Sequence, residues 1–186
     1  MNPDWSRVTS MGYDGFDEKP FLVFWEITRA CALACKHCRA EAQPHRHPDE
    51  LNREESSRLI RQLAELKPPM LILTGGDPLM RRDALNLVRE AAAAGLHVGL
   101  SPSATARLMN TNFEVIKAAG VERISLSLDG ATRETHDAFR GVTGTFDLTG
   151  GMLECVYTGK KAAPDGTRTP NGFNTCLLYT SPSPRD

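Results

Sequence analysis

Four short, almost uninterrupted apolar runs, each followed by a stretch of helical periodicity, constrain the fold of this chain more than any other feature. They are FLVFWEIT (21–28), MLILT (70–74), LHVGL (96–100) and VERISLSL (121–128). Strands covered on both faces read as continuous apolar runs, and strand–helix alternation implies parallel pairing with helices laid over the sheet. Asn52 with Glu55 forms an N-cap with its reciprocal acid, and Leu59, Ile60, Leu63 and Leu66 recur at helical spacing. A helix is therefore predicted over 53–66, ended by Pro68 and Pro69. Further helices are predicted over 82–94 with Gly95 after it, over 105–119 ended by Gly120, over 131–139, and from about 146. The polar and glycine-rich segments all follow strands, at the sheet edge where ligands bind in α/β folds. About four βα units are present, too few to close a barrel.

Immediately after the first strand stands Cys31-Ala32-Leu33-Ala34-Cys35-Lys36-His37-Cys38, three of the chain's five cysteines within eight residues. In a reducing compartment such spacing points to metal or redox chemistry before crosslinks. Two ligand chemistries fit. Three thiolates on a short loop can wrap one iron–sulfur cubane. Cys35 and Cys38 with His45 and His47 would instead make a legal zinc set. The zinc reading leaves Cys31 unused and needs two histidines only one residue apart, so iron–sulfur is the better fit.

Charge narrows the remaining classes. With 22 basic and 23 acidic residues the formal net charge is −1, which argues against nucleic acid as the main partner. No apolar run approaches the ~18 residues of a membrane helix. The start, MNPDWSRVTSMGYDGFDEKP, has acids where a signal peptide needs a basic patch. A cytoplasmic chain without membrane attachment is expected.

The C-x-x-x-C-x-x-C loop after the first strand, together with Gly75-Gly76-Asp77-Pro78 after the second, resembles the radical SAM superfamily. The resemblance covers about residues 20–150. It implies the N-terminal part of a (β/α)6 partial TIM barrel, with a [4Fe–4S] cluster on Cys31, Cys35 and Cys38. In that family S-adenosylmethionine (SAM) chelates the iron that lacks a protein ligand. Reductive cleavage then gives methionine and a 5′-deoxyadenosyl radical that abstracts hydrogen from a substrate.

Other roles follow from the resemblance, position by position. His37 stands where the family has an aromatic beside the adenine. Gly75, Gly76 and Asp77 match the turn that receives the methionine amino group, with Asp77 one methylene shorter than the family's glutamate. Ser127 matches the ribose-binding position, and Ser125 shares its face of the strand. Arg140, in His136-Asp137-Ala138-Phe139-Arg140-Gly141, matches an arginine that pairs with the cofactor carboxylate. Ser101, Ser103 and Thr105 fall where members line the pocket. No catalytic side chain is assigned. Residues 41–50 read as a solvated loop over the cluster, and Phe24 and Trp25 as strand packing.

The HDAFRG segment and the following GTFD resemble the subgroup with a C-terminal SPASM or twitch domain carrying auxiliary clusters. Its members mature peptides or modify haem-type tetrapyrroles, so a peptide or tetrapyrrole substrate and a ferredoxin- or flavodoxin-like electron donor are implied. The expected organisation is an N-terminal extension (1–19), an incomplete radical SAM core (20–155), an irregular segment (156–175) and a tail (176–186). The tail, CLLYTSPSPRD, resembles an in-frame translation of a sequencing-library adapter. The natural chain is expected to continue differently from there, and a fragment with open sheet edges is expected to be inactive by itself. The alternative function is a zinc-stabilised α/β binding module without radical chemistry.

Overall fold

The computed structural model describes residues 19–158 and three short strands at 160–162, 168–170 and 174–179, with side chains over 19–152. The expected N-terminal extension, apart from Lys19, and the end of the tail lie outside the described residues.

The chain runs β1 (Leu22–Thr28), α1 (Arg53–Leu66), β2 (Met70–Gly75), a 3-10 turn (Pro78–Met80), α2 (Ala84–Ala93), β3 (Val98–Leu100), α3 (Ala106–Asn110), α4 (Phe113–Ala118), β4 (Val121–Leu128), α5 (Arg133–Arg140) and α6 (Thr145–Thr158). The strands β5 (Lys160–Ala162), β6 (Arg168–Pro170) and β7 (Asn174–Tyr179) follow. The main sheet has the order β1-β2-β3-β4-β7, and every pairing in it is parallel. The predicted strand–helix alternation is thus the architecture observed.

Alternation along the strands divides the sheet into two unlike faces. Leu71, Leu73, Val98, Leu100, Ile124 and Leu126 are at most 1% exposed and pack with Ile60, Leu87, Val88 and Ile116 of the covering helices. Each such side chain contributes roughly 1.5–3 kcal/mol by leaving water. The opposite face is the incomplete barrel's interior. There Leu22 and Phe24 remain 39% and 54% exposed, so Phe24 does not pack as the sequence suggested, whereas Trp25 on the helix side does.

The helix boundaries follow local chemistry. Asn52 and Glu55 form the predicted capping box on α1. The single helix expected over 105–119 is two, because the Asn112 side chain accepts from Glu114 N and starts α4 afresh. Within the segment 156–175, α6 continues to Thr158, and β5 pairs antiparallel with β6. β7 lies along β4 from Arg123↔Asn174 to Leu128↔Tyr179, taking in the start of the adapter-like tail. The β4 edge offers backbone groups for such pairing.

Candidate functional site

The site is built where β1 and β2 end. The register slips between Glu26 and Thr28, and the carbonyl of Ile27 accepts from Arg81 Nη1 at 3.0 Å. Arg81 is 2% exposed, donates also to Ser56 Oγ, and is neutralised by Asp83 at 2.8 Å. A buried guanidinium with every neighbour matched fixes the direction in which the chain leaves β1.

Glu50 closes the loop that follows. Its carboxylate accepts from Thr28 Oγ1 and Arg29 N, both at 2.8 Å, from His47 N at 3.0 Å and from Arg46 Nε at 2.6 Å. Burial opposes its charge, but these donors outweigh it and hold the carboxyl below its ordinary pKa. The stretch expected to be a solvated cover is therefore tied down at its far end. Nearer the strand, Cys31 N donates to Gln43 O and Gln43 N to Arg29 O, closing the cysteine loop.

Within that loop each sulfur has a donor beside it. Cys31 Sγ faces Leu33 N at 3.4 Å and Ser103 Oγ at 3.6 Å. Cys38 Sγ faces Ala42 N at 3.2 Å, and Cys35 Sγ faces Arg140 Nη1 at 3.6 Å. Burial raises the Cys35 thiol pKa, against the lowering influence of Arg140. All three cysteines are free and line one cavity of about 210 Å³, together with His37, Gly76, Ser127 and Arg140. A contiguous cavity of about 120 Å³ is lined by Gly75, Ser101, Ser103, Ser127 and Arg140.

The Gly-Gly turn is stitched to this loop by backbone. Gly76 N donates to Thr28 O and Asp77 N to Ala30 O, both at 2.8 Å. The nearest neighbour of these glycines is the cysteine loop itself.

The other wall is the C-terminal end of α5. Its last carbonyls lack partners within the helix and accept from the cysteine loop: Phe139 O from Lys36 N at 3.0 Å, and Arg140 O from Ala34 N at 3.2 Å. Gly141 ends the helix at φ 70°, and a Cβ there would lie 2.3 Å from Ala34 O. The His37 ring stacks on Phe139 with centroids 4.0 Å apart.

Of the sequence-predicted residues, the structure brings together Cys31, Cys35, Cys38, His37, Gly75, Gly76, Ser127 and Arg140. Asp77 is not among them. It is fully buried, and its carboxylate accepts from Leu79 N at 3.1 Å and Thr105 Oγ1 at 3.2 Å, capping the 3-10 turn. Burial raises its pKa. The acceptor that the turn does present beside the cleft is Gly76 O, to which Ser103 Oγ donates at 3.3 Å. Ser125 lies below Ser127 with Phe24 and Ile72 in the sheet interior.

Sequence reasoning missed three residues. Asp129 has a side chain with no solvent exposure and pairs with Arg140 Nε. His136, 1% exposed, accepts from Asp129 N through Nδ1, which puts its proton on Nε2, facing Thr149 Oγ1 at 3.5 Å. Glu50 is the third. For Asp129 and His136 the available signal was a polar residue at a strand end and in a helix; Glu50 stood in a charged stretch and gave none.

The residues fit a cubane better than a zinc ion. Zinc would need His45 and His47 to converge on one point with Cys35 and Cys38 at roughly 2.0–2.3 Å. A cubane takes each thiolate on a separate iron. His47 Nδ1 instead accepts from Asp49 N, and His45 is exposed.

Comparison with known proteins identifies the family. The family model described as the radical SAM superfamily matches residues 25–149. An AdoMet-dependent heme synthase of Oleidesulfovibrio alaskensis is 48% identical over 126 residues, covering 68% of this chain and 32% of the relative. The mycofactocin maturase MftC of Mycobacterium tuberculosis is 34% identical over 140 residues, covering 70% of this chain and 33% of the relative. The crystal structure of Streptococcus suis SuiB bound to precursor peptide SuiA superposes with a TM-score of 0.62 at 15% identity, covering 86% of this chain and 33% of that one. The chain thus spans about a third of the length of the curated relatives it matches.

Proposed function

Because the chain belongs to the radical SAM superfamily, we propose that it is the cofactor-binding part of an enzyme that abstracts a hydrogen atom from a tetrapyrrole-type substrate. Members of the superfamily use a [4Fe–4S] cluster and SAM. The observation that supports the reading is the convergence of Cys31, Cys35 and Cys38 on one cleft with Gly76, Ser127 and Arg140. When bound, the cluster and SAM supply one-electron cleavage of a C–S bond and a 5′-deoxyadenosyl radical.

The chain's own residues bind and orient. On this proposal the three cysteines hold the cluster, the Gly76 carbonyl receives the methionine ammonium, and Ser127 takes the ribose. His37, braced by Phe139, lies beside the adenine, and the Arg140 guanidinium reaches the methionine carboxylate. α5 and the Gly-Gly turn grip the cysteine loop from two sides.

A tetrapyrrole is preferred over a peptide because the likeness to a heme synthase, 48%, exceeds that to the maturase MftC, 34%. A peptide substrate is the second reading, favoured by that lesser likeness. The proposal extends to a SPASM or twitch domain elsewhere in the enzyme, a ferredoxin- or flavodoxin-like donor, and action in the reducing cytoplasm. No helix among the described residues is long and apolar enough to cross a membrane.

Anaerobic reconstitution tests the cofactor assignment. The expected result is ~4 iron and ~4 sulfide per chain, the stoichiometry of a cubane, with a broad visible absorption that C31A abolishes. In the full-length enzyme, reduction with SAM present should then yield methionine and 5′-deoxyadenosine. A colourless chain that retains zinc tightly and takes up no iron would overturn the proposal.

A further inference from the structure

Arg140 occupies a position that contact with a cofactor carboxylate does not explain. Its Nη1 lies 3.6 Å from Cys35 Sγ, and its Nε is paired with Asp129, whose side chain has no solvent exposure. Arg140 itself is 14% exposed in the side chain. Asp129 is held in turn, its backbone N–H donating to buried His136 Nδ1 at 3.1 Å. The guanidinium is thus clamped against one particular cluster-ligand sulfur through a fork whose other arm is neutralised. The Cys31 and Cys38 sulfurs each face a backbone N–H, and Cys31 also lies beside the Ser103 hydroxyl, so Cys35 is the ligand with a cation against it.

We propose that Arg140 sets the reduction potential of the cluster through Cys35, and that Asp129 positions it and limits its charge. This rests on the assignment of a cluster to the three cysteines. Reduction adds one electron, making the cluster more negative. A cation against a ligand thiolate, donating a hydrogen bond to it, stabilises that reduced form and raises the potential. The buried carboxylate of Asp129 offsets part of the effect. One residue would thereby couple two tasks: with SAM absent it bears on the sulfur, and with SAM bound the same guanidinium would also hold the cofactor carboxylate.

The test is a redox titration of the reconstituted chain, followed by electron paramagnetic resonance with SAM omitted, with iron counted in each sample. R140M should titrate at a lower potential than the parent chain, and D129N, which leaves the cation unneutralised, at a higher one. R140K, which keeps the charge and loses the planar fork, should fall between R140M and the parent. Loaded R140M with an unchanged potential overturns the proposal, as does a SAM-affinity loss in R140M unaccompanied by any shift without SAM. If R140M fails to take up iron, D129N decides: an unchanged or lower potential overturns the proposal. A parent chain that takes up no cluster defeats the functional reading itself, an outcome distinct from a loaded cluster insensitive to Arg140.

Discussion

Gly75 and Thr28 meet at the ends of the first two strands at a separation no side chain can occupy: a Cβ on Gly75 would lie 2.1 Å from the Thr28 carbonyl oxygen. Gly76 repeats the relationship against Ala30 O at 2.5 Å. The cysteine loop therefore leaves its strand pressed on a turn that must lack side chains. G75A should both strain φ, which is 134° here, and push the loop away. The expected cost is ~1–3 kcal/mol, with loss of most iron binding, read by denaturant midpoint and iron per chain. G95A is the control, since its Cβ meets nothing within 4 Å; it should lower stability without altering iron content.

Arg81 lies outside the cleft but holds the stem of the same loop. Replacing it with methionine leaves Ile27 O and Ser56 Oγ without their donor and Asp83 without its counter-charge. Removing one partner from a buried ionic set costs about 3–5 kcal/mol, and Asp83, 27% exposed in the side chain, recovers part of that from water. R81M is expected to lower stability by ~2–3 kcal/mol by that reasoning, measured by urea unfolding. R81K should recover only part, because one ammonium cannot reach all three acceptors.

His136 makes stability depend on pH in a predictable direction. Burial lowers its pKa from the ordinary 6.5, and the nearby Arg140 charge lowers it further. The folded chain thus takes up this proton less readily than the unfolded one, so stability is full above pH 6.5 and falls as pH drops below it. Asp137 and Glu50, both lowered, add a second loss in the carboxylate range. H136N, which keeps an acceptor near the position of Nδ1, should flatten the first slope and leave the second. Urea midpoints across the two ranges would check this; equal slopes in both chains would show that His136 is not the titrating group.

Much of this architecture was legible in the residues. The strand–helix alternation, the capping box at Asn52 and the grouping of three cysteines followed from periodicity, local chemistry and spacing. What escaped depends on contacts between segments distant in sequence. Glu50 is bound by Thr28 and Arg29, 22 and 21 residues away, and looked like one more charge in a charged stretch. Asp129 and His136 acquire meaning only once α5 folds back over β4. The helix expected over 105–119 broke because Asn112 competes for backbone donors, an effect that apolar spacing alone does not register.

Asp77 is where geometry departs furthest from sequence resemblance, and it yields the sharpest test. A glutamate in its place could extend toward the cleft, whereas the shorter aspartate turns inward and caps Leu79 N and Thr105 Oγ1. Its raised pKa fits a carboxyl serving structure in a dry setting. D77N keeps one oxygen to accept from Leu79 N, presents an amide N–H to Thr105 Oγ1, which can accept it, and discards the charge. If the carboxylate faces no ligand, the cluster-loaded variant should bind SAM within about twofold of the parent chain by isothermal titration. A loss of tenfold or more, about 1.4 kcal/mol, with the melting temperature unchanged, would instead return Asp77 to direct contact with the ammonium. D77A, which removes the cap, should lose ~1–3 kcal/mol of stability, so its binding data are interpretable only alongside its melting curve.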